Sequence, residues 1–326
     1  MPPSCPGLPA ATASSPARRF PALRAHTPDP HSVAPPRPLD LRGTVLALIL
    51  AAIWSANPLA VKIGLAGAPP FRLAWMRFLL GGLAILVYAW WTRHRVVFDV
   101  HPGEWRVLWS LGLLFAVQIG LMNVGIARTT ATHAAVLVNS YAVHTVVLAH
   151  FFIPGDRLTV PKLGGIAIAY LGIVLLFARD FSFQSGTLVG DLIVSASALL
   201  LGERIVYMAR AVQRLDPIKM LVFQAAIGSA CFFLVSTWWE PGEPTRYTAP
   251  LAASLLYQGV VVAGFNFVMN MRLLQIYRPS ALATCALTTP IFGVLASAAI
   301  TGEALTPTLL LSALMVAAGI GLATRR

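Results

Sequence analysis

A handful of polar side chains interrupt segments that are otherwise apolar, and each needs a physical reason to be there. An ionisable group inside a bilayer costs about 2.5 to 3.5 kcal/mol on insertion scales, so it marks a pathway, a partner or the water boundary. Of the twelve acidic residues, only Asp191 and Glu203 fall inside apolar segments. Asp191 stands near the end of its segment, where solvent reaches it. Glu203 stands deeper, and poor solvation there would raise its pKa so that it could load and release a proton. A salt bridge with Arg272 or Arg278, or snorkelling toward water beside Arg204, would also explain it.

The uncharged polar residues invite two readings each. His133 and His144 share a helical face with a difference of only about 20° at 100° per residue, and Ser140 and Tyr141 lie between them. That face lines a wet cavity, or it supplies hydrogen bonds between helices. Asn57 precedes Pro58, whose missing N–H frees a carbonyl near Ile53 and Trp54. Trp54, Ser55 and Asn57 therefore line a cavity, or the proline makes a harmless kink. Gln118, Tyr257, Gln258 and Thr288, with Asn123, Asn266, Asn270 and Thr289, extend a polar path or serve helix packing. Lys62, Arg72 and Arg77 form a basic group, and Arg77 is the deepest, where it would attract an anion or the carboxylate of a zwitterion.

Several chemistries are excluded by pattern. There is no GxxxxGK[ST] for a primary pump, no HExxH and no GxSxG. Cys5, Cys231 and Cys285 are odd in number and widely spaced, supporting neither disulfides nor zinc. Neither a metal nor a cofactor is expected.

The elements that must position these residues follow from composition. The chain is 57% hydrophobic and 11% charged with mean hydropathy +0.73, more apolar surface than one water-soluble core could hide. The net charge of +12 is scattered between apolar segments rather than gathered in a stripe, so it reports membrane topology and not nucleic-acid binding. Apolar segments long enough to cross about 30 Å of hydrocarbon lie near 44–64, 71–91, 107–127, 132–152, 161–178, 187–208, 218–239, 249–271, 280–300 and 306–324. These predict an all-α integral membrane protein of ten transmembrane helices. Residues 1–42 read as a disordered, Pro/Ala/Arg-rich cytosolic tail. Lys and Arg near the segment ends place both termini in the cytosol.

The chain repeats itself. Gly155-Asp156-Arg157-Leu158-Thr159 returns as Gly302-Glu303-Ala304-Leu305-Thr306, 147 positions later, and Met122-Asn123 and Gly172-Ile173 recur as Met269-Asn270 and Gly319-Ile320 in the same register. Two five-helix copies result, at 43–180 and 181–326. Five is odd, so the second copy runs through the membrane inverted, which suits a midplane site and alternating access.

With these residues in view, the chain resembles the drug/metabolite transporter superfamily, of the EamA type. The resemblance rests on Trp54, Asn57 and Lys62 in the first helix, Arg77-Phe78 in the second, the Gly-acid-x-Leu ends of the fourth and ninth, and Pro290. It implies a secondary exporter or permease of small polar metabolites, amino acids first, in the bacterial inner membrane. Val143 stands where the repeat would place a partner for Pro290, so the fourth helix is expected to be straighter than the ninth. A membrane-embedded enzyme or receptor without transport activity is the alternative. Lipid-facing and partner-facing apolar surfaces look alike, so the sequence is also compatible with a homodimer.

Overall fold

The computed structural model describes residues 40–92, 95–152, 158–178, 186–212, 215–277, 285 and 288–323. Most of the predicted tail, Asp156 and the start of the ninth apolar segment lie outside them. Among the described residues, seven helical stretches are long and apolar enough to cross a membrane, and Val160–Leu175, Thr289–Thr301 and Pro307–Leu322 are shorter apolar helices. No strand occurs among the described residues.

The helices are α1 (Leu41–Ser55), α2 (Asn57–Leu65), α3 (Pro70–Trp91), α4 (Trp105–Ala127), α5 (Ala131–Asn139), α6 (Tyr141–Phe152) and α7 (Val160–Ala178). They continue as α8 (Leu188–Ala211), α9 (Pro217–Trp239), α10 (Ala249–Leu256), α11 (Phe267–Ile276), α12 (Thr289–Thr301) and α13 (Pro307–Ala323). A π-helical segment, Tyr257–Asn266, joins α10 to α11. Starts follow local chemistry. Asp40 accepts from the Gly43 N–H at 2.6 Å, Asp216 accepts from Lys219 at 2.9 Å, and Pro70 and Pro217 occupy first-turn positions that need no donor.

The duplication is visible as geometry. α7 and α13 are equivalent under the repeat, and they cross antiparallel through small residues. A Cβ on Gly172 would come within 3.0 Å of the Ser312 carbonyl, and one on Gly319 within 2.6 Å of the Gly165 carbonyl. Gly172 and Gly319 are 147 apart (319 − 172), and so are Gly165 and Ser312 (312 − 165), so each contact is the image of the other. Small residues let the two backbones meet where lipid gives no hydrophobic drive to associate.

α3 and α9, also equivalent, run antiparallel as well. Arg72, in the first turn of α3, donates to the carbonyls of Glu240 at 2.7 Å and Glu243 at 2.6 Å beyond the end of α9. Its counterpart Lys219, in the first turn of α9, donates to the Asp99 carbonyl at 2.5 Å and the Glu104 carboxylate at 2.8 Å beyond the end of α3. Each basic side chain thus ties the start of its own helix to the far end of its twin.

The fourth apolar segment does not run as one uninterrupted α-helix, and the part of the ninth before Thr288 with which it was to be compared lies mostly outside the described residues. The fourth segment breaks at Ser140, and α12 begins at the equivalent place, after Thr288. Side chains replace the proline as the cause. Asn139 Nδ2 donates to the Ala135 carbonyl at 2.6 Å and Ser140 Oγ to the Leu137 carbonyl at 2.7 Å, competing for acceptors of the helical ladder.

The Gly319 crossing has no room for a methyl group. Gly319→Ala should destabilise the purified protein by about 1–3 kcal/mol, the usual cost of overpacking. Thermal unfolding in detergent checks this, with Gly103→Ala as the control that stays unchanged, because nothing lies within 4 Å of a Cβ there.

Candidate functional site

The break between α1 and α2 builds the first half of the site. Pro58 cannot donate, the helix pauses at Ala56, and the Tyr257 hydroxyl donates to the Ile53 carbonyl at 2.6 Å. The carbonyl that the sequence left free near Ile53 and Trp54 is thereby satisfied from the other repeat. Trp54 is half-buried and meets Phe267 edge-on at 5.6 Å, while Asn57 is buried. Next to Tyr257, Gln258 is buried and donates to the Ala60 carbonyl at 3.2 Å and the Ser254 hydroxyl at 2.6 Å. Its Oε1 accepts from Arg77 Nη1 at 2.5 Å. Close packing of the π segment makes this meeting feasible, for a Cβ on Gly259 would come within 2.8 Å of the Arg77 carbonyl. Gln258 thus joins Arg77 to α2, while the adjacent Tyr257 bonds α1 one residue from Trp54.

The second half forms on α8. Gln118 of α4 donates to Ser197 Oγ at 3.0 Å, and that hydroxyl donates back to the Gln118 carbonyl at 2.8 Å. His133 Nδ1 lies 2.9 Å from the Asp191 carboxylate, which also accepts from the Thr129 hydroxyl. His144, eleven residues on, is buried against Gly202, eleven residues beyond Asp191, and its ring lies 5.7 Å from that of Tyr170. The two histidines do face one way, onto α8. Tyr141 and Thr288, both half-buried, stand at the two equivalent helix breaks, where Thr288 Oγ1 donates to the Cys285 carbonyl at 2.7 Å.

The two acidic residues of the apolar segments have opposite surroundings. Asp191 is not solvated but 0% exposed, stabilised at the start of α8 by the helix dipole and its two partners. Glu203 is exposed, sharing the outward face of α8 with Leu192 and Leu199. One residue rotates a helix by 100°, so the neighbouring Arg204 turns inward instead and is only 5% exposed. Arg204 Nη1 donates to Gln224 Oε1 at 3.2 Å, and its guanidinium lies 4.8 Å from the Phe115 ring centroid. A usable signal existed, because Asp191, Val194, Ser197, Leu201 and Arg204 form one buried stripe at helical spacing.

The charged motifs at the ends of the bundle act on helix termini. Gly302 closes α12 with φ 72°, a left-handed conformation that suits glycine, and delivers Glu303 to the start of α5. There its carboxylate accepts from the Ala131 N–H at 3.0 Å, the Thr132 N–H at 3.0 Å and the Thr132 hydroxyl at 2.6 Å. Glu303 thus caps the start of α5. Lys62 meets the other kind of terminus, donating to the Ile126 carbonyl at 3.0 Å and the Thr129 carbonyl at 2.5 Å where α4 ends. Lys62, Gly67, Pro70, Ala127, Glu243 and Arg246 line a cavity of about 500 Å³ at this end of the bundle. No group of three or more metal-ligating side chains occurs among the described residues.

Two matches to the same family, described as the EamA-like transporter family, cover residues 41–178 and 188–325. The chain belongs to the EamA-like transporter family. It is 26% identical over 284 residues to the uncharacterized transporter YvbV of Bacillus subtilis, covering 86% of this chain and 90% of that one. It is 26% identical over 287 residues to a probable amino-acid metabolite efflux pump of Salmonella typhimurium, covering 84% and 92% of the two chains. A protein of known crystal structure shares the fold with a TM-score of 0.64 at 20% identity, over 86% of this chain and 96% of that one. As an EamA-like transporter, the chain carries its polar interior in the setting where such groups serve transport across a membrane.

Burial works against a charge on Glu303, but its bonds from Thr132 and from the Thr132 and Ala131 N–H groups outweigh that and hold its carboxyl below the usual 4.5. A lowered folded-state pKa contributes stability above the unfolded value and loses it as pH falls. Glu303→Gln should therefore melt lower than wild type at neutral pH, and the gap should close below about pH 4.5. Melting curves across pH 3 to 8, to order of magnitude in that window, test it.

Proposed function

We propose that this protein is a secondary transporter that moves small polar metabolites, amino acids first among them, across the bacterial inner membrane by alternating access. The observation that carries the reading is the antiparallel pairing of equivalent helices, α3 with α9 and α7 with α13, around buried polar side chains from both repeats. Such a pair of inverted units can expose one site to either side. The name of the Salmonella relative, a probable amino-acid metabolite efflux pump, supports the substrate class. We assign ten crossings, with the three shorter helices completing the two sets of five, both termini in the cytosol, and the cavity at Lys62 opening outward.

We assign proton coupling to Asp191 and His133 rather than to Glu203. A buried carboxylate bonded to an imidazole can pass a proton as its surroundings change, whereas an exposed carboxylate on the outer face of α8 meets no part of the polar interior. The membrane-enzyme alternative gains no support from the side-chain arrangement, since the acidic group and its neighbours present no activated nucleophile.

Uptake and counterflow of labelled amino acids in proteoliposomes, with and without a proton gradient, test both assignments. Asp191→Asn should lose gradient-driven flux by about tenfold or more while keeping counterflow, and Glu203→Gln should keep both. Full gradient-driven flux in Asp191→Asn would remove the coupling role. Folded wild-type protein that moves no solute would overturn the transporter reading.

A further inference from the structure

Arg77 and Arg204 are built alike. Each guanidinium is buried, at 2% and 5% exposure for the two residues, and each donates through Nη1 to one glutamine, Gln258 or Gln224. Each lies against one phenylalanine, Arg77 at 4.4 Å from the Phe78 ring centroid and Arg204 at 4.8 Å from that of Phe115. The two rings meet edge-on at 4.6 Å, so the cations rest on one aromatic pair. In each, Nε is buried and bonded to nothing among the described residues. No carboxylate of the described residues lies within 4 Å of either guanidinium, whose charges are close enough to repel.

The repeat explains their placement. The residue equivalent to Arg77 is Gln224, 147 positions on (224 − 77), and Gln224 is the side chain that holds Arg204. Both positions therefore present a guanidinium, one covalently and one through a hydrogen bond. Arg77 and Gln224 each lie seven residues from the start of their own helices, about 10 Å down at 1.5 Å per residue. Because α3 and α9 run antiparallel, those depths are measured from opposite ends of the bundle.

Two buried cations without counter-charge are costly in a low-dielectric interior, and the arrangement is favourable only when an anion joins them. An arginine whose plane is fixed by a ring and whose Nη1 is fixed by an amide keeps a donor edge ready for a carboxylate. We propose that Arg77 and Arg204 are two stations for the carboxylate of the transported molecule, each resting on one ring of the Phe78–Phe115 pair. The substrate class is then an organic acid or an amino acid that enters with its carboxylate leading. The proposal rests on the transporter reading for the word transported, and on the two arginines alone for the anion.

The test uses full-length protein in detergent at constant ionic strength, with a panel of L-amino acids, the matching amino-acid amides and sodium chloride as probes. Thermal shift and titration should show binding of one or more amino acids and none of their amides. Arg77→Gln and Arg204→Gln should each weaken that binding by at least about tenfold. Arg204→Lys, which keeps a charge, covers the case in which the glutamine variant fails to fold, and it should retain measurable binding. Ligand-free Arg204→Gln should melt no lower than wild type, since it loses an uncompensated charge. Amides that bind as well as the acids, or unchanged binding in both glutamine variants, would overturn the proposal. Stabilisation by chloride equal to that by any amino acid would overturn it as well, by assigning the stations to an inorganic ion. Counterflow separates the two readings. Binding without flux in wild type would sink transport and leave the stations, and full flux in both glutamine variants would do the reverse.

Discussion

A helix break or helix end leaves carbonyls and N–H groups without helical partners, and the architecture of this protein depends on supplying them with side chains. Tyr257 takes the carbonyl of Ile53, Glu303 takes the N–H groups at the start of α5, and Lys62 takes the carbonyls at the end of α4. Two of these repairs cross between the repeats. The same bonds that make the breaks tolerable therefore fasten one half of the chain to the other. Breaks of this kind also free the backbone from a straight path, which lets polar side chains such as Asn57 and Gln258 gather in the interior.

The polar interior is asymmetric in sequence and symmetric in charge. α3 contributes an arginine and α9 a glutamine at equivalent positions, yet Arg204 restores the missing guanidinium from a third helix. The duplicated backbone supplies the two locations, and divergence decided which element fills each. Upstream the register shifts to 143, where Gly43-Thr44 meets Gly186-Thr187, and Leu48 stands where that offset (191 − 48) would place a second acid, so Asp191 has no counterpart of this sort.

Much of the fold could be read from the chain. Segment lengths marked an all-helical chain, and the 147-residue register marked Gly172 and Gly319 as equivalent positions, though not that their helices cross. Proline chemistry at Pro58 correctly located an orphan carbonyl near Ile53, although the donor, Tyr257, lies too far along the chain for any local rule to find. The break at Ser140 was missed because serine and asparagine bend a helix only when their hydroxyl and amide turn back onto it. Arg204 was passed over for a different reason. Adjacent residues differ by 100° on a helix, and depth along the axis says nothing about which of them points inward. The buried stripe from Asp191 to Arg204 carried that information, but it is written in burial periodicity rather than in residue type.

The antiparallel seam between α7 and α13 has one more consequence. Its backbones touch at Gly172 and Gly319 with no spare volume for so much as a methyl group. A contact that tight resists sliding and separation but leaves rotation about its own line comparatively cheap. Any rocking of one repeat against the other must then turn on this seam as a fulcrum, with the longest lever arm falling to the helices farthest from it.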